Sequence, residues 1–433
     1  MRKFNAAALL LISTILIASS VFAADGVDYA SQVKLNMNSE TAKLEVTVET
    51  FVDGDTTHFN VDSPFFPSGI VKARYLGLNT PESTGKIEEY GKAASRFTRS
   101  KLENASSIII ESDDGNWNPD SSGGRYLVWV WYRNSEDEEY RNLNIEILQN
   151  GLAIASSTAN NRYGSTAMAA LNYAKEQKLN VYSGQQDPDF YYGDAVELTL
   201  KELRLNVEKY NGIKVAYEGV ITMNDGGSVY MEDYDPETGL YYGISVFYGY
   251  NLPGKGLDIL SVGNRSRIVG TVQYYEAGET YQVAGLTYKQ MKPKDPGNIQ
   301  KISDGHQGAY VLTDAATFTS GKVTVQSSDG SSQVFDYGYL ALNTTIEMHN
   351  LKVKSINTTS DPASSSYGAM TISCEVDGVK VTVRTAVLVD SDRQMITKDA
   401  YLGKTINVRG VVDYYNGSYQ IKVLSAKDIT IIQ

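Results

Sequence analysis

Residues 43–82 read KLEVTVETFVDGDTTHFNVDSPFFPSGIVKARYLGLNTPE, and the reading of this stretch decides the fold. KLEVTVETF (43–51), THFNV (57–61) and IVKARYLGL (70–78) are strand-like runs with apolar and polar positions alternating, each bounded by turn residues. That is the period of strands with one buried face. The end of the stretch has a plain structural reading. Thr80 suits a helix N-cap, Pro81 the first helical position and Glu82 the positive end of a helix. Further on, IEEYGKAASRFTRSKLENA (87–105) carries Tyr90, Ala94, Phe97 and Leu102 near helical spacing. SIIIES (107–112) and RYLVWVWY (125–132) read as strands. NLNIEILQNG (142–151) reads as a helix ending on a glycine suited to the C′ position, and STAMAALNYAKEQKLNVYSG (165–184) as a helix opened by a serine cap. Three strands, a helix, two strands and two helices fit a small five-stranded Greek-key barrel with three helices.

QQDPDFYYGDA (185–195) reads as a linker, and the remaining chain is nearly all strand-like and repeats itself. IVGTVQYYEAGETYQV (268–283) and VRGVVDYYNGSYQI (408–421) share a strand, a glycine, an alternating run ending in Tyr-Tyr, a tight turn, then Tyr-Gln. Matches so far apart indicate two copies of one β-rich domain, not a short-period solenoid. MKPKDPGN (291–298) is the natural border, so the expected division is 24–187, 188–295 and 296–433. The fold class is thus mainly β with some α. The chain holds 31 tyrosines. A tyrosine row on the copies could stack bases, although tyrosines also favour strands simply for cross-strand packing. Arg265, Arg267 and Arg409 lie beside those strands and could touch phosphates.

At 433 residues the chain is long enough for two to four domains. MRKFNAAALLLISTILIASSVFAADG has the charged start, apolar stretch and small residues of a secretory signal cut after Ala23. The expectation is therefore a signal peptide at 1–23 and a secreted, soluble mature protein, since no later segment reads as a membrane helix. The lone Cys374 permits no intramolecular disulfide and reads as a buried small hydrophobe. The net charge of −12 is spread along the chain: residues 24–187 carry 15 basic and 23 acidic side chains, and 188–433 carry 22 and 28. Neither half has the basic balance of a tight nonspecific polyanion binder, so contacts with a polyanion must be local. His58, His306 and His349 share no metal-ligand spacing, which disfavours histidine-based triads, and no P-loop is present.

Four pieces of the first region carry chemistry together. FVDGDTTHF (51–59) offers Asp53 and Asp55 on the same side of a strand pair. ARYLGLNTPE (73–82) offers Arg74, Asn79, Thr80 and Glu82. A helix follows, and SSGGRYLVWVW places Arg125 at the head of a strand. Hydrolysis of a phosphodiester needs these parts. Carboxylate and other oxygens hold a hard cation such as Ca²⁺, a carboxylate takes a proton from water, and guanidinium forks clamp the phosphate as it gains charge.

On VDGDT, ARYLGLNTPE, YGKAASRFTRSKLENA, GRYLVWVW, NLNIEILQNGLA and AKEQKLNVYSG, residues 43–184 resemble the thermonuclease (staphylococcal nuclease-like) family. The resemblance implies an OB-type barrel with three helices and Ca²⁺-dependent endonuclease action on DNA and RNA, leaving 3′-phosphates. It also implies residue roles: Asp55, Asn79 and the Thr80 carbonyl as metal ligands, with Asp53 in a supporting shell. Glu82 becomes the general base, and Arg74 and Arg125 bind the phosphate. The sequence departs from the family at Asn79, where the best-known member has Asp. An amide oxygen still suits Ca²⁺, but with an affinity of about millimolar. Tyrosines of the family are replaced at Gly123, Ser157 and Ala159, so base stacking would fall to Tyr163 or to the C-terminal copies. Those copies resemble, more loosely, the OB-type nucleic-acid-binding domains of some exported bacterial nucleases, best in VRGVVDYYNGSYQIKV (408–423). The alternatives are a catalytically impaired nucleic-acid- or surface-binding protein on the same fold, and C-terminal copies that bind carbohydrate.

Overall fold

The computed structural model describes residues 27–122, 124–249, 252–326, 332–362, 364 and 366–432. The expected signal segment and Gly123 lie outside them. The first region contains strands β1 (Lys43–Phe51), β2 (Thr56–Asn60), β3 (Ile70–Tyr75), β4 (Ser107–Glu111) and β5 (Tyr126–Arg133). They close in the ring order β1-β2-β3-β5-β4, with β3 and β5 parallel and the other pairs antiparallel. Closure leaves the barrel without a free edge. Along β5, residues Val128 to Tyr132 are all buried. One face fills the barrel and the other lies under helices, which is why its sequence is an unbroken apolar run and not an alternation.

The helices are α1 (Gly91–Leu102), α2 (Leu143–Gln149) and α3 (Gly164–Glu176). On α1 the buried positions are Gly91, Ala94, Thr98 and Leu102, one stripe at helical spacing. α2 begins as its sequence suggests, with the Asn142 side chain accepting from Ile145 N (3.1 Å). Two starts differ from the sequence reading. Ser165 falls inside the first turn of α3 and not at its cap. No helix begins at Thr80: residues 80–90 form a loop, and α1 starts at Gly91 after a left-handed Tyr90. Thr80 does not cap: its hydroxyl is buried without a partner, while its amide donates to the buried Asp55 carboxylate at 2.8 Å. The loop then folds back so tightly that a Cβ at position 91 would run into the Glu82 carbonyl.

Two further barrels come after it. One is built from β6 (Lys214–Asn224), β7 (Ser228–Asp235), β8 (Leu240–Phe247), β9 (Arg265–Tyr275) and β10 (Thr280–Ala284). The other is built from β11 (Thr345–Thr358), β12 (Met370–Val376), β13 (Val379–Thr385), β14 (Thr405–Tyr415) and β15 (Ser418–Val423). Both close in the same ring order as the first, with the third and fifth strands parallel. The molecule is mainly β, with three OB-like barrels, the first bearing the nuclease-type helices. The two repeat motifs become the fourth and fifth strands of their barrels. In the last barrel Asn416 and Gly417, both at positive φ, form the two-residue hairpin turn such a pair requires. The last two barrels are joined by buried polar contacts. Glu232 accepts from Ala309 N (2.6 Å) and Thr345 N (2.6 Å). Arg204 donates to the Leu342 carbonyl and to Asn343 Oδ1, each at 3.1 Å. Strand Gln300–Ser303 adds to the second barrel beside β9. Cys374 is buried, and burial pushes its thiol up to about 12. No helix among the described residues is long and apolar enough to cross a membrane.

Candidate active site

The register of β2 on β3 pairs Thr56 with Arg74, which brings the Asp53-Gly54-Asp55 turn beside the Arg74 side chain. Gly54 makes this turn possible, because a Cβ there would stand 2.7 Å from Ala94 Cβ and 2.9 Å from Thr80 Oγ1. Thr98 of α1 donates to the Gly54 carbonyl at 2.6 Å, so the helix holds the turn from behind. After β3, the short strand Leu78–Asn79 pairs with Ile154–Ala155 and fixes Asn79 at the same rim.

Asp55 and Asp53 are buried, with 1% and 5% of their surface exposed. Asp55 accepts from Thr80 N at 2.8 Å and from Thr56 Oγ1 at 3.0 Å, and Asp53 accepts from Asp55 N at 3.2 Å. The Arg74 guanidinium bridges Asp55 and Asn79, one nitrogen to each. Burial, and then the neighbouring Asp53 carboxylate, hold the Asp55 carboxyl well above the usual carboxylate range, although Arg74 and the Thr80 amide pull it down. Glu82 reaches solvent, yet partial desolvation and the charge of Asp53 raise it, with Arg74 and Arg125 acting in the opposite sense. Arg125 itself is paired with Asp120 (Nε to Oδ2, 2.7 Å).

Asp53, Asp55, Arg74, Asn79 and Thr80 are thus brought together, Glu82 stands in their field, and Arg125 reaches them only through space. The sequence reading missed Asp120, whose Asp-Ser-Ser turn looks like an ordinary loop. It also left the partners of the C-terminal arginines unassigned: Arg265 pairs with Asp233, Arg267 with Glu197 and Arg409 with Glu347. Tyr163, considered for base stacking, is packed edge-on against Trp129 and Trp131, with its hydroxyl on Glu111 (3.1 Å). The three histidines stay apart: His306 contacts Ser303 and His349 contacts Glu347.

Among the described residues no three His, Cys, Asp or Glu side chains form a metal centre. The oxygens at this rim are a smaller set: two buried carboxylates, the Asn79 amide and the Thr80 backbone. All are hard ligands, and a Thr80 hydroxyl buried without a partner lies beside them. Three carboxylates, counting Glu82, face the single guanidinium in contact with them. Hard oxygens with excess negative charge fit a hard cation of the Ca²⁺ type.

Residues 72–184 match the family model described as Staphylococcal nuclease homologue. The match includes Arg74, Asn79, Thr80, Glu82 and Arg125, and begins after Asp53 and Asp55. The chain is 30% identical over 139 residues to Thermonuclease of Staphylococcus intermedius, covering 31% of this chain and 74% of that one. It is 26% identical over 187 residues to Thermonuclease of Staphylococcus hyicus, covering 42% and 99%. With the barrel, its helices and its acidic rim in agreement, this chain belongs to the thermonuclease (staphylococcal nuclease-like) family.

Proposed function

We propose that the chain is a secreted, Ca²⁺-dependent endonuclease acting on DNA, RNA or both and leaving 3′-phosphate ends. Its proposed organisation is a signal peptide at 1–23, a nuclease domain at 24–187, and accessory nucleic-acid-binding barrels at 188–295 and 296–433, with the strand Gln300–Ser303 of the last segment laid onto the sheet of the one before it. The observation that carries the reading is the convergence of Asp55, Arg74, Asn79 and Thr80 at one rim with Glu82 beside them. Asp55, Asn79 and the Thr80 carbonyl would hold the cation, with Asp53 behind them. When bound, Ca²⁺ would neutralise phosphate charge and polarise a phosphate oxygen.

The roles of the side chains follow from their chemistry. Glu82 accepts a proton from the attacking water, and its raised proton affinity makes it a better base than a free carboxylate. Arg74 exchanges its present partners, Asp55 and Asn79, for phosphate oxygens, and Arg125 does the same with Asp120. Each planar fork then stabilises charge that grows in the transition state. Replacing Glu82 by Gln should lower kcat by about 10²–10⁴-fold, and replacing either arginine by Ala by about 10²–10³-fold. A Glu82→Gln variant with full activity would end this reading. The competing reading, a binding protein without turnover, draws on Asn79 in place of a carboxylate. It predicts nucleic-acid binding with no hydrolysis at any Ca²⁺ level.

A further inference from the structure

The loop that carries Glu82 is held from outside its own barrel. Its start is tied to Asp55 through Thr80 N, and its end to the inter-barrel segment, where Tyr90 N donates to Asp187 Oδ2 at 2.6 Å. Between them, the apex at Gly85 is gripped by Gln273 of β9 in the second barrel. Gly85 N donates to Gln273 Oε1 at 3.0 Å, and Gln273 Nε2 donates back to the Gly85 carbonyl. Gln273 is 5% exposed, so water does not compete freely for these two bonds. The apex also lies against Gly285, where a Cβ would stand 3.2 Å from the Gly85 carbonyl. Nearby, Arg99 of α1 pairs with Glu276, which follows β9.

The two repeats differ at Gln273. TVQYY (271–275) and VVDYY (411–415) occupy the same place in their barrels, and Asp413 stands where the second barrel has Gln273. Asp413 accepts from Gln420 within its own barrel at 2.7 Å. Only an amide presents a donor and an acceptor side by side, which is what a peptide unit at a loop apex requires. A carboxylate at this place could accept from Gly85 N but would repel the Gly85 carbonyl.

We propose that Gln273 is a positioning residue for the nuclease reaction: the second barrel clamps the Gly85 apex and so fixes the backbone from which Glu82 works. This rests on the general-base role assigned to Glu82 above. Two hydrogen bonds sheltered from water hold the apex in one place, and a misplaced catalytic group loses rate steeply with distance. The clamp acts on turnover and not on substrate capture, since the buried Gln273 side chain is engaged with Gly85 and offers almost no surface for contact.

The test uses the full chain with Ca²⁺ and a fluorescent single-stranded DNA oligonucleotide. Gln273→Ala should lower kcat about tenfold, with KM within about twofold and a melting temperature lowered by no more than about ten degrees, so that the chain stays folded at the assay temperature. Gln273→Glu should lose at least as much. Combining Gln273→Ala with Glu82→Gln should add little to the loss from Glu82→Gln alone, because both act through one carboxylate. An active wild type whose Gln273→Ala variant keeps full kcat, or whose double variant loses the product of the two single effects, overturns the clamp alone. An inactive wild type overturns the nuclease reading and the clamp with it.

Discussion

Gly54→Ala is the smallest change that probes how the acidic rim is built. The new methyl would stand 2.7 Å from Ala94 Cβ and 2.9 Å from Thr80 Cγ2 and Oγ1. Carbon atoms rest at about 3.5–4.0 Å, so a gap of roughly 0.8 Å or more must open. Ala94 sits on a helix whose stripe is packed into the core, which leaves the Thr80 segment and the Asp53–Asp55 turn to move. Overpacking of this kind costs about 1–3 kcal/mol. At about 2–4 °C per kcal/mol for a unit of this size, the unfolding temperature of the first barrel should fall by roughly 2–12 °C. The same displacement, approaching 1 Å at Asp55 and Thr80, should cost about 10²-fold in turnover. Scanning calorimetry gives the first number and oligonucleotide hydrolysis the second. A variant with wild-type melting and wild-type kcat would refute the packing argument for the rim.

Asn79→Asp should lower the Ca²⁺ concentration for half-maximal activity by about tenfold, by returning one charge to the ligand set; a calcium titration of initial rates checks it. Asp120→Ala frees the Arg125 guanidinium and should lower kcat by less than the ~10²–10³-fold expected for Arg125→Ala, as measured side by side. Glu232→Ala removes the acceptor of the Ala309 and Thr345 amides. It should destabilise the joined C-terminal barrels by about 2–4 kcal/mol, read by urea unfolding. Asp28 is pushed up by burial, but its hydrogen bonds to Arg141 and the charge of that guanidinium outweigh this and hold its pKa below the usual carboxylate value. Its contribution is therefore present above about pH 4 and lost as pH falls through the depressed pKa. Asp28→Asn should cost about 0.5 kcal/mol at pH 7 in the same unfolding assay, with the cost shrinking as the pH is lowered below about 4.

The barrels were legible because their information is local. Alternation marks the strands around 43–75, and the Asn-Gly turn marks the last hairpin. The internal repeat implies that whatever closes one C-terminal barrel closes the other. The loop at 80–90 was not legible as a loop, since Thr-Pro-Glu has real helix-start chemistry. In the fold the Thr80 hydroxyl caps nothing, and the segment is tied instead to Asp55, 25 residues earlier, through the Thr80 amide. Other features fail for the same reason of distance. Tyr163 reads as a free aromatic until Trp129 and Trp131 enclose it, and Gln273 reads as one more strand residue until Gly85 arrives from 188 positions away. The candidate site residues could be singled out because Asp53, Asp55, Arg74, Asn79 and Glu82 lie within one short stretch. The partner of Arg125 lies in a separate turn with nothing in its sequence to mark it.

The most direct test of the central claim is hydrolysis of single-stranded and duplex DNA by residues 24–433, titrated with Ca²⁺ beside an EDTA control and beside Glu82→Gln. Activity should rise between micromolar and millimolar Ca²⁺, disappear with EDTA and fall by about 10²–10⁴-fold in Glu82→Gln. Nucleic-acid binding without hydrolysis at any Ca²⁺ level, or hydrolysis indifferent to Glu82→Gln, would contradict the claim.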